Sequence, residues 1–234
     1  MPYYSYYFDP TYYLVLVGVI ISLWASARVR STYSKYNRVT SQRRLTGREA
    51  AHRILQNSGI YDVQIEHVSG QLSDHYDSKN KVLRLSDATY NSTSVAAIGV
   101  AAHECGHAIQ HAEGYAPLSI RGALVPVANF GSTIAWPLII IGLFFTTNSS
   151  ALLINLGIIA FSLAVLFQIV TLPVEYNASN RALHILGDSQ MLYEDEMKGA
   201  KKVLSAAALT YVAAAAASIL QLLRIILLSG RRRN

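Results

Sequence analysis

A long uncharged stretch is the feature that most constrains how this chain can fold. From Gly122 through Val174 the sequence contains no Asp, Glu, Lys or Arg. A water-exposed surface of that length would carry charge, whereas two bilayer crossings would not. Residues 123–147 and 151–172 are each long enough, at about 1.5 Å per residue, to cross a hydrocarbon core of about 30 Å as helices. The stretch therefore predicts a transmembrane hairpin with a turn at the uncharged residues 148–150.

A second apolar segment, residues 12–27, lies near the start of the sequence. The small residues at 25–27 would suit cleavage of a secretory signal peptide, which is the alternative to a membrane anchor. A signal peptide carries its positive charge before the apolar segment, but residues 1–11 contain no Lys or Arg. The basic residues follow instead: Arg28, Arg30, Lys35, Arg38, Arg43, Arg44, Arg48 and Arg53. The positive-inside rule therefore predicts an uncleaved anchor over residues 1–27, with the following residues in the cytoplasm.

The overall composition agrees with a membrane protein. The 234 residues are 52% hydrophobic and 15% charged, whereas an average soluble domain is about 25% charged. A net charge of +6 would suit a nucleic-acid partner, but basic flanks beside membrane spans explain the excess without one. Cys105 is the one cysteine, so the chain cannot form an internal disulfide.

Residues 28–121 are predicted to form a small cytoplasmic part with helices and edge strands. Thr46 and Glu49 have the spacing of a helix capping box, in which each side chain satisfies the backbone N–H of the other residue. The predicted elements are a short helix from Thr46 to about Gly59, strands at residues 62–68 and 81–85, a turn at residues 77–80 and a helix over residues 95–112.

The chain is predicted to leave the hairpin, residues 122–173, on the cytoplasmic side and to continue as a polar helix over residues 174–202. Residues 203–234 are predicted as an apolar helix with a basic tail. Lysines precede the apolar residues 203–223 and arginines follow them, so the distribution of charge does not decide whether this segment crosses the membrane. The alternative is a helix packed against the other spans through its alanines.

His103-Glu104-Cys-Gly-His107 is an H-E-x-x-H motif inside the helix predicted over residues 95–112. Side chains at i and i+4 lie one above the other, so two imidazoles can hold one metal ion. Glu104 lies one residue further round the helix and can reach a water molecule on that metal. The alternative is a buried structural helix, but two histidines and a glutamate among apolar residues would then need partners. The motif predicts a zinc site with Glu104 as the general base.

Catalytic zinc usually has three protein ligands, so His103 and His107 need a third. His111 continues the spacing but lies about 12 Å from His103 along the helix axis, which is too far to share the ion. It is predicted to lie at the surface or behind a ligand. Cys105 points to another face of the helix and is predicted to be a packed thiol. Glu175 is the remaining candidate, because it follows the third apolar segment on the side of the membrane where the motif lies.

The H-E-x-x-H motif, residues 115–118 and the charge-free double span together resemble the bacterial membrane-bound neutral zinc metallopeptidases. The resemblance covers the chain from Tyr61 through Arg224. Residues 174–182, Val-Glu-Tyr-Asn-Ala-Ser-Asn-Arg-Ala, match that family's second motif and are similar to that of the heat-shock and prenyl-protein membrane proteases. A helical glutamate of this motif is a zinc ligand in those proteases. The resemblance therefore implies Glu175 as the third ligand and one Zn²⁺ per chain.

The same proteases have an Asp four residues after that glutamate, where it can orient a zinc-bound histidine. This chain has Ser179 at that place. Arg181 and Asp188 are alternative residues that could support a ligand, and the sequence does not choose among them.

The sequence and the resemblance together predict a mainly α membrane protein, with about four apolar helices and a small cytoplasmic α+β zincin-like metallopeptidase domain. The implied activity is that of a membrane-embedded, zinc-dependent, gluzincin-like endopeptidase. Zinc lowers the pKa of a water molecule toward about 7, and Glu104 accepts the proton of that water and returns it to the leaving amine. The oxyanion needs a further donor, for which His184, Tyr176 and Arg181 all remain open.

In gluzincin-like proteases the substrate lies as an extra strand along an edge strand that precedes the zinc helix. Residues 81–85 stand in the corresponding place, where main-chain pairing would bind a peptide. The alternative is an ordinary edge strand of a small sheet.

Two other classes of function are disfavoured by the sequence. A transporter or channel would carry ionisable residues inside its spans, and residues 123–172 have none. A non-catalytic zinc scaffold would lack the general base or have four closed ligands, whereas Glu104 is present. The expected partners are a peptide or membrane-protein substrate and the lipid bilayer, without nucleic acid. The expected location is the plasma membrane, with the active site on the cytoplasmic side.

Overall fold

The computed structural model describes residues 9–144 and 150–231, and this part is mainly helical with one small sheet. The predicted turn residues 148 and 149 lie outside the described residues, and Ser150 begins a helix. The elements in chain order are α1 (Tyr12–Asn37), α2 (Gly47–Asn57), β1 (Gln64–Val68), β2 (His75–Asp77), β3 (Val82–Ser86), α3 (Val95–Ala112), α4 (Ala116–Phe144), α5 (Ser150–Asp188) and α6 (Glu194–Arg231). The predicted fold class, a mainly α membrane protein with a small α+β domain, is confirmed.

Four helices, α1, α4, α5 and α6, are long and apolar enough to cross a membrane by length and composition. Parts of these helices form one compact unit, made of the described residues within 1–24, 123–169 and 213–234. Small residues let the helices approach: a Cβ added to Gly131 would lie 2.6 Å from the carbonyl oxygen of Ala160. Such close contacts hold helices together in a bilayer, where apolar side chains gain nothing by leaving lipid. Large side chains such as Phe130 and Phe144 remain exposed, as lipid-facing residues do.

The second compact unit contains residues 25–122 and 170–212. Its three-stranded sheet has the order β1-β3-β2, with β1 parallel and β2 antiparallel to β3. The prediction of an edge strand at residues 81–85 is wrong, because β3 pairs on both sides. The strand β2 was not predicted from the sequence, since three residues are too few to show the alternation that marks a strand. The free edges of the sheet are therefore those of β1 and β2.

The core of this unit lies between the sheet and helices α2, α3 and α5. The side chains of Ile54, Leu83, Leu85, Ile98 and Leu186 are fully buried there. The helix α2 begins with the predicted capping box, because the Thr46 side chain accepts the Glu49 N–H and the Glu49 carboxylate accepts the Thr46 N–H.

The helix α5 does not end at Pro173 but runs on to Asp188. A proline removes one hydrogen bond from a helix and bends it without necessarily ending it. The polar helix predicted over residues 174–202 is instead divided at residues 189–193, where Gln190 has a φ of 50°. Glu175 therefore stands on the same helix as the apolar segment that precedes it.

Candidate metal centre

The helix α3 presents the two motif histidines on one face, with ring centroids 4.8 Å apart. The helix begins at Ser94, whose side chain accepts the Ala97 N–H. Most of its residues are buried, so the motif sits inside the second unit rather than on its surface. The i, i+4 spacing thus places the imidazoles as the sequence predicts.

Gly106, inside the motif, lets α5 approach α3. A Cβ added to Gly106 would lie 2.5 Å from the carbonyl oxygen of Ala178. Real Cβ atoms do not come that close to backbone, so only glycine permits this separation of the two helices. The close approach brings Glu175 of α5 to the histidines of α3.

Three potential ligand atoms converge at this contact. The Glu175 Oε2 atom lies 3.2 Å from His103 Nε2 and 3.5 Å from His107 Nε2. Each of the three residues offers one ligand atom within 4.8 Å of those of the other two. The Glu175 side chain is 2% exposed. Tetrahedral zinc, about 2.0–2.1 Å from its nitrogen and oxygen ligands, separates those ligands by about 3.3–3.4 Å. The two measured separations from the carboxylate fit this requirement, and two imidazoles with one carboxylate are a ligand set of catalytic zinc.

The Nδ1 atoms of both histidines face outward to other polar groups. The Gln110 amide nitrogen donates to the Val174 carbonyl at 2.8 Å and to Asn177 Oδ1 at 2.9 Å. Its Oε1 atom therefore faces His107 Nδ1, 3.0 Å away, and accepts a hydrogen bond from it. With the proton on Nδ1, the lone pair of His107 Nε2 points toward Glu175 and is free for a metal.

Ser179 contacts the outward-facing Nδ1 atom of the other histidine, His103. Its Oγ atom lies 3.1 Å from His103 Nδ1. The other ring nitrogen, His103 Nε2, therefore faces Glu175. The serine thus contacts His103 from the position at which the sequence resemblance implies an aspartate. Arg181, an alternative raised by the sequence, pairs instead with Glu113 at 2.7 Å. Asp188 is exposed at the end of α5.

Burial opposes a positive charge on His107, but its contact with Glu175 and the charges of Glu104 and Glu175 outweigh burial and raise the pKa of His107. The two carboxylates therefore favour a cation at this position. Because a ligand imidazole must be neutral, protons compete with metal for it as the pH falls.

A cavity of about 180 Å³ opens beside the converging atoms. Glu104, 8% exposed, lines it together with His103 and Glu175. The structure thus brings Glu104 to the same cavity as two potential ligands. This is the position that a base needs if it is to reach a water molecule bound there.

Two polar residues at the site were missed by the sequence analysis. The Arg121 Nη1 atom lies 3.2 Å from Glu175 Oε1, and Tyr211 of α6 lines the cavity. Arg121 is the last charged residue before the uncharged stretch, and Tyr211 is the one tyrosine among residues 203–223. These two departures from the composition around them are the sequence signals that could have identified the two residues.

The three candidate oxyanion donors left open by the sequence are not among the residues that line this cavity. Tyr176 and His184 are exposed, and Arg181 is engaged by Glu113. Two other residues of α3 lie outside the group of potential ligands. His111 is exposed, with its Nδ1 atom 2.9 Å from the Tyr76 hydroxyl. Cys105 is fully buried, and burial, with the nearby charge of Glu104, raises the pKa of its thiol well above the usual range.

Comparison with known proteins places the chain in a family. A family model described as "Putative neutral zinc metallopeptidase" matches residues 11–230. The chain is 47% identical over 224 residues to "Putative membrane protease YugP" of Bacillus subtilis (strain 168), and the match covers 95% of this chain and 98% of that relative. No solved structure matches the chain. Because the family match spans nearly the whole chain, the chain belongs to the family described as "Putative neutral zinc metallopeptidase".

Proposed function

We propose that the protein is a membrane-embedded zinc-dependent endopeptidase, with His103, His107 and Glu175 as ligands of one Zn²⁺ and Glu104 as general base. The observation that carries this proposal is the convergence of two imidazole Nε2 atoms and one carboxylate oxygen beside a cavity that Glu104 lines. The family supports zinc, and the relative named as a membrane protease supports proteolysis.

The residues divide the chemistry among them. Zinc, when bound, polarises a substrate carbonyl and lowers the pKa of a water molecule toward about 7. The Glu104 carboxylate accepts a proton from water as the water oxygen attacks the carbonyl carbon. The same side chain gives that proton to the leaving amine nitrogen as the C–N bond breaks.

Tyr211 is suited to donate a hydrogen bond to the oxyanion, because it lines the same cavity as Glu104. Tyr211→Phe removes that hydroxyl alone. It should lower kcat by about 10²–10³-fold while zinc is retained. A variant with unchanged kcat would exclude this role. Arg121 positions Glu175 by holding its second carboxylate oxygen.

A peptide backbone would pair with the free edge of β2. The strand β3, which the sequence suggested for this role, is already paired on both sides. The Tyr76 hydroxyl of β2 contacts His111 of α3, and Asp74, directly before β2, lines the cavity. An extended peptide added to that edge would lie beside the site.

A zinc scaffold without catalysis is the second function to test, since ligands alone do not make an enzyme. Metal analysis of the purified protein tests the ligand assignment first. The wild type should hold about one zinc ion per chain, and alanine at His103, His107 or Glu175 should lower that occupancy sharply. His111→Ala is the matched control and should retain zinc. Full occupancy in Glu175→Ala, with loss in His111→Ala, would refute the assignment.

A further inference from the structure

One wall of the cavity beside the potential ligands takes part in the chemistry described above only through Tyr211. It is formed by α6, whose residues on this wall are Val203, Leu204, Ala207, Ala208 and Tyr211. These positions follow one another at i, i+1, i+4, i+5 and i+8, so they form one face of the helix. All except the tyrosine are apolar.

The two alanines leave the space that the cavity occupies. Their side chains end at Cβ, and Ala207 is partly exposed. Val100 of α3 extends the apolar wall, and His103 and Glu175 lie at the same cavity. An apolar pocket that adjoins potential metal ligands can accept a substrate side chain next to the reacting bond.

Leu72 adds a second apolar surface to this cavity. It lies between β1 and β2, lines the cavity, and is 51% exposed. Its φ of 56° lies in the left-handed region, which costs a leucine free energy. Residues held in such conformations cluster at functional sites, where the surrounding structure maintains them. An exposed leucine held in this way provides an apolar surface that a ligand in the cavity can contact.

The charges on the cavity wall have one sign. Asp74, Glu104 and Glu175 contribute carboxyl groups, and no Lys or Arg lies among the described lining residues. Arg121, the nearest cation named at the site, is engaged by Glu175. With Zn²⁺ bound to Glu175, Asp74 and Glu104 remain as the like charges that an acidic side chain in this pocket would meet, and that side chain would lose its hydration without a partner.

We propose that this cavity is a specificity pocket that takes up the substrate side chain flanking the scissile bond. It selects an uncharged aliphatic side chain, such as that of leucine, and rejects aspartate and glutamate. The inference rests on the proposed peptidase function and adds to it the class of peptide that the site accepts.

Peptide binding tests this inference without requiring cleavage. The probe is a set of fluorescein-labelled decapeptides that differ only in a central Gly, Leu or Asp. Binding is measured by anisotropy to zinc-loaded Glu104→Gln protein in lipid nanodiscs. The Leu peptide should bind at least about tenfold more tightly than the Gly peptide, because a methylene in a fitted pocket changes affinity by about 10-fold or more. The Asp peptide should bind most weakly.

Substitutions in the pocket test whether the preference for the Leu peptide depends on this cavity. In the same background, Ala207→Leu places a side chain in the pocket and should remove the preference for the Leu peptide. Ser205→Leu adds the same side chain at an exposed position outside the cavity lining and should preserve the preference. Leu72→Asn provides a second variant, because asparagine tolerates a positive φ but removes the apolar surface of Leu72. This variant should have a weaker preference for the Leu peptide.

Equal affinity for the Leu and Asp peptides, absence of binding, or an unchanged ranking in both Ala207→Leu and Leu72→Asn would overturn the inference. Cleavage of the same peptides by wild-type protein is measured in parallel. Failure to cleave a peptide that binds with the expected ranking would count against the proposed function, while the pocket assignment would stand.

Discussion

At the scale of single residues, the site depends on the polar groups behind the two histidines as much as on the histidines themselves. Gln110 contacts Nδ1 of His107, and Ser179 contacts Nδ1 of His103. These contacts set the orientation of both rings, so that both Nε2 atoms face Glu175. Hydrogen bonds of this kind also make an imidazole a better ligand. Ser179 does this with a neutral hydroxyl, whereas the sequence resemblance implies a carboxylate at this position.

Replacing Ser179 tests this support. Ser179→Ala removes the hydroxyl beside His103 and should weaken zinc binding by about 10–100-fold. Ser179→Asp should bind zinc at least as tightly as the wild type, because a carboxylate is the stronger acceptor for the Nδ1 proton. The measurement is zinc competition with a chromogenic chelator, and His111→Ala is the control. Equal affinities in the wild type and Ser179→Ala would show that the hydroxyl does not support the ligand.

The sequence predicts some of these residues and not others for a physical reason. His103, Glu104 and His107 follow from spacing within one helix, because the periodicity of the helix fixes their relative positions. The contacts of Gln110, Arg121 and Tyr211 depend on how distant helices pack, and no local pattern encodes that packing. Glu175 was identified through its motif.

At the scale of secondary-structure elements, the contact between α3 and α5 creates the site. Gly106 permits that contact, and Gly99, two turns earlier on α3, offers a matched comparison. A Cβ on Gly99 would meet the Ala200 side chain at an ordinary 3.5 Å, whereas one on Gly106 would lie 2.5 Å from backbone. The same substitution should therefore have opposite effects at the two positions.

Gly106→Ala should push the helices apart, destabilise the protein by about 1–3 kcal/mol and lower zinc occupancy. Gly99→Ala should be neutral or stabilising by up to about 1 kcal/mol, because alanine favours a helix more than glycine does. Thermal unfolding in detergent and metal analysis measure the two effects. If Gly106→Ala matched Gly99→Ala in both, the glycine would not be required for the approach of the helices.

The predictions for elements succeeded where the local signal was strong. The capping box at Thr46 and the bounds of α3 were confirmed, because caps and periodicity are encoded within a few residues. The strand β2 was missed, and the helix α5 was predicted to end too early, at Pro173. Both features depend on tertiary packing, since β2 is defined by its pairing with β3 and a helix can continue through a proline when its neighbours support it.

At the scale of the whole molecule, four long apolar helices and the homologous membrane protease make this a membrane protein. We propose that it lies in the plasma membrane with the site on the cytoplasmic side. The proposal rests on the basic residues that follow the first apolar segment.

Cysteine labelling of intact cells tests that orientation. Lys79 lies on an exposed turn between β2 and β3, so Lys79→Cys offers an accessible thiol. The native Cys105 contributes little background, because it is buried and its pKa is raised. Lys79→Cys should resist a membrane-impermeant maleimide in intact cells and react after permeabilisation. Labelling in intact cells at the rate seen after permeabilisation would place this turn outside.

The central claim, that this site hydrolyses peptides through Glu104, is tested most directly by Glu104→Gln. The substitution keeps the shape of the side chain but removes its ability to accept a proton. Zinc content and peptide cleavage should be measured on the same purified samples in lipid nanodiscs. We expect unchanged zinc occupancy and a loss of cleavage of about 10²–10⁴-fold or more. Cleavage by Glu104→Gln at the wild-type rate, with zinc present in both proteins, would contradict the claim.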